Sequence, residues 1–246
     1  MRKGSILLFA LMMITPFQAF AQEKISVAVA ANFISAFNEI AVDFEEKTGV
    51  KIEATFSSTG NLYSQIKNGA PYDVFLSADE KRPDILQKEG WTHGTFIYTR
   101  GQVILWSANK DFCKAPTWQE ALKSNRIKKI AIANTVTAPY GTAAMTALRK
   151  SGQGDALQSK LVIAQTIAQS FQYASTESVD AGFCALSAAS TPEGQKGCFF
   201  KIPEAPDIVQ AGCVAKNAKN SKGAELLTVF LMSDHAAQIK KKYGYR

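Results

Sequence analysis

The chain has 246 residues, 46% of them hydrophobic and 20% charged, with a formal net charge of +7. Its basic residues are spread along the chain, gathering only at Lys240-Lys241-Lys242. No basic stripe is interleaved with aromatics, so nucleic acid is not the expected partner, and the lysine run reads as the solvated face of a terminal helix.

The first residues have the three parts of a secretory signal: Met1-Arg2-Lys3, an apolar run from Ile6 to Ile14, and Ala19-Phe20-Ala21 before Gln22. The run is shorter than the ~20 residues a membrane-spanning helix needs, and Pro16 stands just beyond its end. Cleavage after residue 21 is therefore expected, giving a soluble periplasmic chain. No cysteine stands at the cleavage point, so a lipid anchor is not indicated. The remaining 225 residues, with a net charge reduced to +5, are enough for one large domain or two lobes.

From Ile25 to Ala30 the sequence is strand-like. Phe33, Ile34, Phe37, Ile40, Ala41 and Phe44 then recur at helical spacing until Gly49. A strand at Lys51–Phe56, a polar Ser-Ser-Thr-Gly turn, a short helix at Leu62–Lys67 and a strand at Tyr72–Leu76 complete a β-α-β-α-β series, which predicts a parallel sheet with helices on both faces. A second series comes next, with strands at Val103–Trp106, Lys129–Ala133, Leu161–Ala164 and Gly182–Leu186 and helices at Trp118–Ser124 and Thr142–Ser151. Residues 190–206 read as a loop and Ile208–Ala215 as a strand. Two closing helices, Gly223–Met232 and Ser233–Tyr243, are expected back on the first lobe. The expected division is a discontinuous first lobe of residues 22–102 plus 215–246 and a second lobe of 103–214.

Cys113, Cys184, Cys198 and Cys213 would meet an oxidising compartment after export, so two disulfides are expected, with three pairings open. Zinc is disfavoured. No two cysteines have a C-x₂₋₄-C spacing, and the two histidines, His93 and His235, are remote from them and from each other.

In open α/β sheets, ligands bind where strands end and helices begin. Three polar turns fall at such places: Ala30-Ala31-Asn32, Ser57-Ser58-Thr59-Gly60-Asn61, and Ala138-Pro139-Tyr140-Gly141-Thr142. Singly, Asn32, Ser58 and Thr142 read first as helix N-caps. Together, on two facing lobes, they make a cleft of N–H and O–H donors. Each helix N-terminus carries about half a positive charge, so such a cleft can hold a dianion without Arg or Lys. No nucleophile elbow, zinc-protease motif, P-loop or dinucleotide fingerprint occurs, and an enzyme is not expected.

The runs Ala-Ala-Asn-Phe (30–33), Ser-Ser-Thr-Gly (57–60), Asn-Gly-Ala-Pro-Tyr-Asp-Val-Phe-Leu-Ser-Ala-Asp (68–79) and Ala-Pro-Tyr-Gly (138–141) resemble the molybdate-binding proteins of bacterial ABC transporters. The resemblance covers nearly all of the mature chain. It implies a type II periplasmic binding protein: two α/β lobes, two hinge strands, and an anion buried between the lobes by neutral donors. It further implies molybdate and tungstate as ligands, no cofactor, a membrane permease as partner, and a monomer. Carried over residue by residue, the implied ligands are Ala31 and Asn32, Ser58 and Thr59, Tyr140, and the amide of Ile167. Asn32 stands where some members have serine, and Ala185 where some have the ligand tyrosine, which makes Tyr140 the candidate here. Ser77 and Asp79 are expected to cap the next helix. Asp79 is not expected as a ligand, because a carboxylate would repel a dianion. The alternatives are another oxyanion, such as sulfate or phosphate, in the same fold, or an enzyme on the same scaffold.

Overall fold

A computed structural model of the chain describes residues 23–246. The expected signal peptide, residues 1–21, lies outside the described residues. The chain opens with β1 (Lys24–Ala30), a 3-10 turn at Ala31–Phe33 and α1 (Ile34–Thr48). Gly49 ends this helix at φ 74°, its N–H bonding Glu45 O at 2.9 Å. That left-handed position suits glycine, which has no Cβ to clash there. Next come β2 (Lys51–Ser57), α2 (Thr59–Lys67), β3 (Val74–Leu76), α3 (Lys81–Lys88) and β4 (Thr92–Gly101).

The second lobe contains β5 (Val103–Ser107), α4 (Trp118–Lys123), β6 (Ile130–Ala133), α5 (Pro139–Lys150), α6 (Gly154–Leu157), β7 (Leu161–Ala164), α7 (Ile167–Ser175), β8 (Ala181–Ala185), α8 (Leu186–Ala189) and β9 (Cys198–Lys201). The chain then returns through β10 (Ile208–Ala215), α9 (Ser221–Leu231) and α10 (Asp234–Lys242).

Each lobe is built on a five-stranded sheet, ordered β2-β1-β3-β10-β4 and β7-β6-β8-β5-β9. Both are mixed rather than wholly parallel. β10 runs antiparallel to β3 and β4, and β5 runs antiparallel to β8 and β9. β10 also corrects the expected lobe division, since it is hydrogen-bonded into the first sheet and residues 202–207 carry the return crossing. An apolar strand bears no mark of which sheet it will join, because membership is decided by pairing partners far away in sequence.

Both faces of β1 are covered, which explains its continuous apolar run. Val27 and Val29 pack with Phe33, Phe37, Ile40, Leu227 and Ile239, while Ala28 packs with Leu62, Phe75 and Leu86 on the other face. The two closing helices thus lie on the first lobe, as their apolar stripes required. In the second lobe Leu105, Ile132 and Phe183 meet Trp118, Leu122 and Leu148. The same apolar cluster extends to Ala30, Ala78 and Ile208 of the first lobe, so the lobes are packed against each other.

Cys113 and Cys198 form a disulfide between the 3-10 turn at Lys110–Lys114 and β9. The second expected disulfide does not form. Cys184 and Cys213 are free and buried, one in β8 of the second sheet and the other in β10 of the first. Each thiol sits in the core of its own lobe, so the two cannot meet.

Candidate functional site

The three polar turns meet at the lobe junction. Parallel pairing of β1 with β2 sets Ala30 opposite Ser57, so Ala31 and Asn32 leave one strand end beside Ser58 and Thr59 leaving the next. From the second lobe, the residues preceding α5 close over α2: Gly60 N–H donates to Thr137 O at 2.7 Å. The N-terminus of α7 approaches from another side, where Ala31, Asn32 and Ser35 face Ile167, Ala168 and Ser187 around a small cavity of about 120 Å³. All six expected ligand residues are buried.

None of the three candidate N-caps caps through its side chain. Ser58 occupies the N-cap position of α2, yet its Oγ makes no cap bond and is buried without any partner. A buried hydroxyl left unpaired is costly, on the order of 1–3 kcal/mol, and native structures keep few of them. Among the described residues, four side-chain oxygens are in this state. Two of them, Ser58 Oγ and Thr137 Oγ1, belong to the turns that close on each other. Thr142 instead donates to Thr135 O at 2.8 Å. Thr59 Oγ1 accepts from Ala78 N–H at 3.0 Å, tying α2 to the end of β3. Its remaining donors are its hydroxyl hydrogen and its N–H, which lies in the first turn of α2, where amides have no intrahelical partner.

Asn32 differs from expectation in one respect. Its side-chain amide is committed within the protein, Nδ2 donating to Gln210 Oε1 at 2.8 Å and to Tyr245 Oη at 3.2 Å. Its carbonyl accepts from Ser187 Oγ at 2.9 Å and from Tyr245 Oη at 2.5 Å. The donor it keeps for a ligand is its main-chain N–H, at the start of a 3-10 turn. Ile167 likewise offers a first-turn N–H on α7, while Thr166 caps that helix by accepting from Gln169 N–H at 3.1 Å.

Tyr140 is fully buried and its Oη accepts from Gln210 Nε2 at 3.1 Å. Burial, with Tyr245 and Tyr98 beside it, pushes its pKa well above 10, so the hydroxyl keeps its hydrogen at any physiological pH. Gly101 makes room for this contact: a Cβ there would fall 1.9 Å from Tyr140 Oη and 2.7 Å from Gln210 Nε2.

Asp79 makes no hydrogen bond to the six expected ligand residues. Its carboxylate accepts from Arg82 N–H at 3.0 Å and pairs with the Arg82 guanidinium, in the capping role expected of it. Arg82 also donates to Val136 O at 3.0 Å, bridging the lobes along an open groove of about 870 Å³. Among the described residues, no charged side chain joins Ser58, Thr59, Tyr140 or Asn32 by a hydrogen bond. What the junction gathers is neutral O–H and N–H donors at helix starts, an arrangement matched to a small, fully deprotonated anion.

The sequence reading did not single out Thr137, Gln210, Ser187 or Tyr245. Gln210 carried a usable signal, being the lone strongly polar residue in Ile208-Val209-Gln210-Ala211-Gly212, a run buried on both faces.

Residues 25–246 match the family described as bacterial extracellular solute-binding protein. The chain is 39% identical to the molybdate-binding protein of Azotobacter vinelandii over 228 residues, covering 90% of this chain and 89% of the relative. It is 36% identical to that of Rhodobacter capsulatus, covering 92% and 89%. The solved Azotobacter vinelandii periplasmic molybdate-binding protein superposes with a TM-score of 0.86 at 31% identity, over 90% of this chain and 98% of that one.

Proposed function

We propose that this chain, which belongs to the bacterial extracellular solute-binding protein family, captures molybdate between its lobes and presents it to the permease of an ABC transporter. The observation that carries the reading is the buried, unpartnered Ser58 hydroxyl at the start of α2, facing a junction of neutral donors. A tetrahedral dianion accepts from Ser58 Oγ, Tyr140 Oη and the main-chain N–H groups of Ala31, Asn32, Thr59 and Ile167. Closure excludes water, and each contact gains strength in the less polar surroundings. An anion that reaches only some of the donors leaves the others unsatisfied, at a cost of about 1–3 kcal/mol each. Tungstate has nearly the size of molybdate and binds alike, whereas sulfate is too small to engage every donor at once. Export by the signal peptide puts this receptor in the periplasm, where it acts as a monomer, without a cofactor and without turnover of its ligand.

A thermal-shift series with molybdate, tungstate, sulfate and phosphate, followed by calorimetry, tests the reading. A ligand that binds only the folded state raises its stability by RT ln(1 + [L]/Kd), about 2.7 kcal/mol at a hundredfold excess over Kd. Molybdate and tungstate are expected to raise the melting temperature in this way while sulfate and phosphate leave it unmoved. Tight sulfate binding without molybdate binding overturns the choice of ligand.

A further inference from the structure

We infer that Tyr245 is a positioning residue for ligand capture, holding the Asn32 turn from the hinge side and joining it to the second lobe through Ser187, so that the bound anion leaves slowly. The inference rests on the reading of the lobe junction as an anion site, in which Asn32 supplies a main-chain N–H. Asn32, Ser187 and Ile167 line the same small cavity, and Tyr245 bonds the first two from outside that lining, its ring buried and edge-on to Phe33 at 5.2 Å. Its Oη donates to Asn32 O at 2.5 Å and accepts from Asn32 Nδ2 at 3.2 Å, so one hydroxyl grips both the main chain and the side chain of that residue. Burial pushes its pKa up to about 12, and it stays a donor at physiological pH.

The grip crosses the lobe junction. Ser187 belongs to α8 of the second lobe, and its Oγ donates to the same Asn32 carbonyl at 2.9 Å while lying 3.1 Å from Tyr245 Oη. A carbonyl has two lone pairs and takes both hydroxyls. Asn32, Ser187 and Tyr245 are all buried, where a lost hydrogen bond is not replaced by water. The segment that carries Tyr245 is fastened at the hinge. Arg246 exchanges two main-chain hydrogen bonds with Arg100, its N–H donating at 3.0 Å and its O accepting at 2.7 Å, on the free edge of β4 just before the connection at Gln102. Its guanidinium pairs with Asp207 in the return connection. Gly244, at φ 75°, brings the chain so close to α8 that an added Cβ would stand 2.9 Å from Leu186 Cγ, and Leu186 N–H donates to Gln102 O at 2.9 Å. Tyr245 is thus tied to both connections between the lobes and to one residue on each side of the junction. Opening the lobes far enough to release an anion pulls Ser187 away from a carbonyl that this anchored tyrosine keeps in place.

The test is a chase on the full mature chain. Radiolabelled molybdate is bound, excess unlabelled molybdate is added and release is timed by rapid filtration, with affinity read by calorimetry and ligand-free melting recorded for each variant. Tyr245→Phe keeps the ring and removes the hydroxyl. Release should quicken by about three- to tenfold, the size of one net hydrogen bond, and affinity should fall by the same factor, leaving the association rate within about twofold of wild type. Ser187→Ala should quicken release at least as much, because it takes away both contacts from the second lobe. On that background Tyr245→Phe should add less than about twofold, since no hydroxyl is left across the junction for it to join. A residue that merely supports the fold would lower the melting temperature and the fraction able to bind, without changing how fast bound anion leaves. A folded Tyr245→Phe protein with wild-type release overturns the inference, and so does an effect that persists in full on the Ser187→Ala background. If Tyr245→Phe does not fold, wild-type release in Ser187→Ala overturns it alone. Should the anion panel show sulfate bound and molybdate not, the choice of ligand fails, and the same chase with labelled sulfate decides the role of Tyr245 separately.

Discussion

Ser58 is the residue at which affinity and stability should separate. With the lobes packed together its hydroxyl is buried without a protein partner, so closing the lobes with no acceptor at that point is costly. Replacing it with alanine removes that cost. Ser58→Ala is expected to leave ligand-free stability unchanged or to raise it by up to about 1–2 kcal/mol in urea unfolding. Under the proposed function the same substitution removes a hydrogen bond to a charged ligand, worth about 1.5–3 kcal/mol, so molybdate affinity should fall by roughly ten- to a hundredfold in calorimetry. A parallel fall in both quantities would make Ser58 a structural residue. Thr59 gives the contrast, because its Oγ1 already accepts from Ala78 N–H and its loss should cost stability as well.

Among the elements, the disulfide and β9 explain each other. Cys113–Cys198 closes a loop of 85 residues and fastens the edge strand of the second sheet to the turn before α4. Replacing both cysteines with alanine should lower unfolding free energy by about 2–4 kcal/mol, measured by denaturant titration, chiefly by freeing the unfolded chain. The two other thiols should stay silent to a thiol reagent until the protein unfolds, since burial pushes the Cys213 thiol up to about 12 and the Cys184 thiol also upward. β9 was hidden in the sequence because Cys198–Lys201 is four residues long within a run rich in Gly and Pro, and only its long-range pairing with β5 makes it a strand. β4 was missed for a related reason. Its Thr-His-Gly-Thr opening breaks the apolar pattern, and antiparallel pairing with β10, more than a hundred residues away, supplies the order. The β-α-β-α-β series was legible because its periodicity is local, and so were the turns that carry Ala31, Ser58 and Tyr140. The network behind those turns was not legible, since Asn32, Gln210 and Tyr245 come together only once both crossings between the sheets are made.

At the scale of the whole molecule, the proposed function makes binding a contest between open and closed arrangements of two lobes, in which the ligand can favour closure only by what it gains there. The lobes are joined at Gln102, between β4 and β5, and through residues 202–207, so relative rotation is concentrated in two short connections. Where they touch, Gly60 of α2 lies against the main chain of Thr137. An added Cβ would stand 2.8 Å from Thr137 Cα, an atom with no rotamer by which to move aside. Gly60→Ala should therefore hold the lobes apart. Its backbone is helical and needs no positive φ, so alanine suits the first lobe and, by helix propensity, adds up to about 1 kcal/mol to the stability of α2. The predicted signature is an undamaged or slightly more stable ligand-free protein whose molybdate affinity is lower by at least about tenfold, with the donors of α2 and α7 unable to reach one anion together. Small-angle scattering supplies the decisive measurement: molybdate should shrink the radius of gyration of the wild-type chain and shrink that of Gly60→Ala less. Full contraction with wild-type affinity in the variant would mean that the Gly60–Thr137 contact yields easily, and that closure is limited by Arg82 and Val136 along the groove instead.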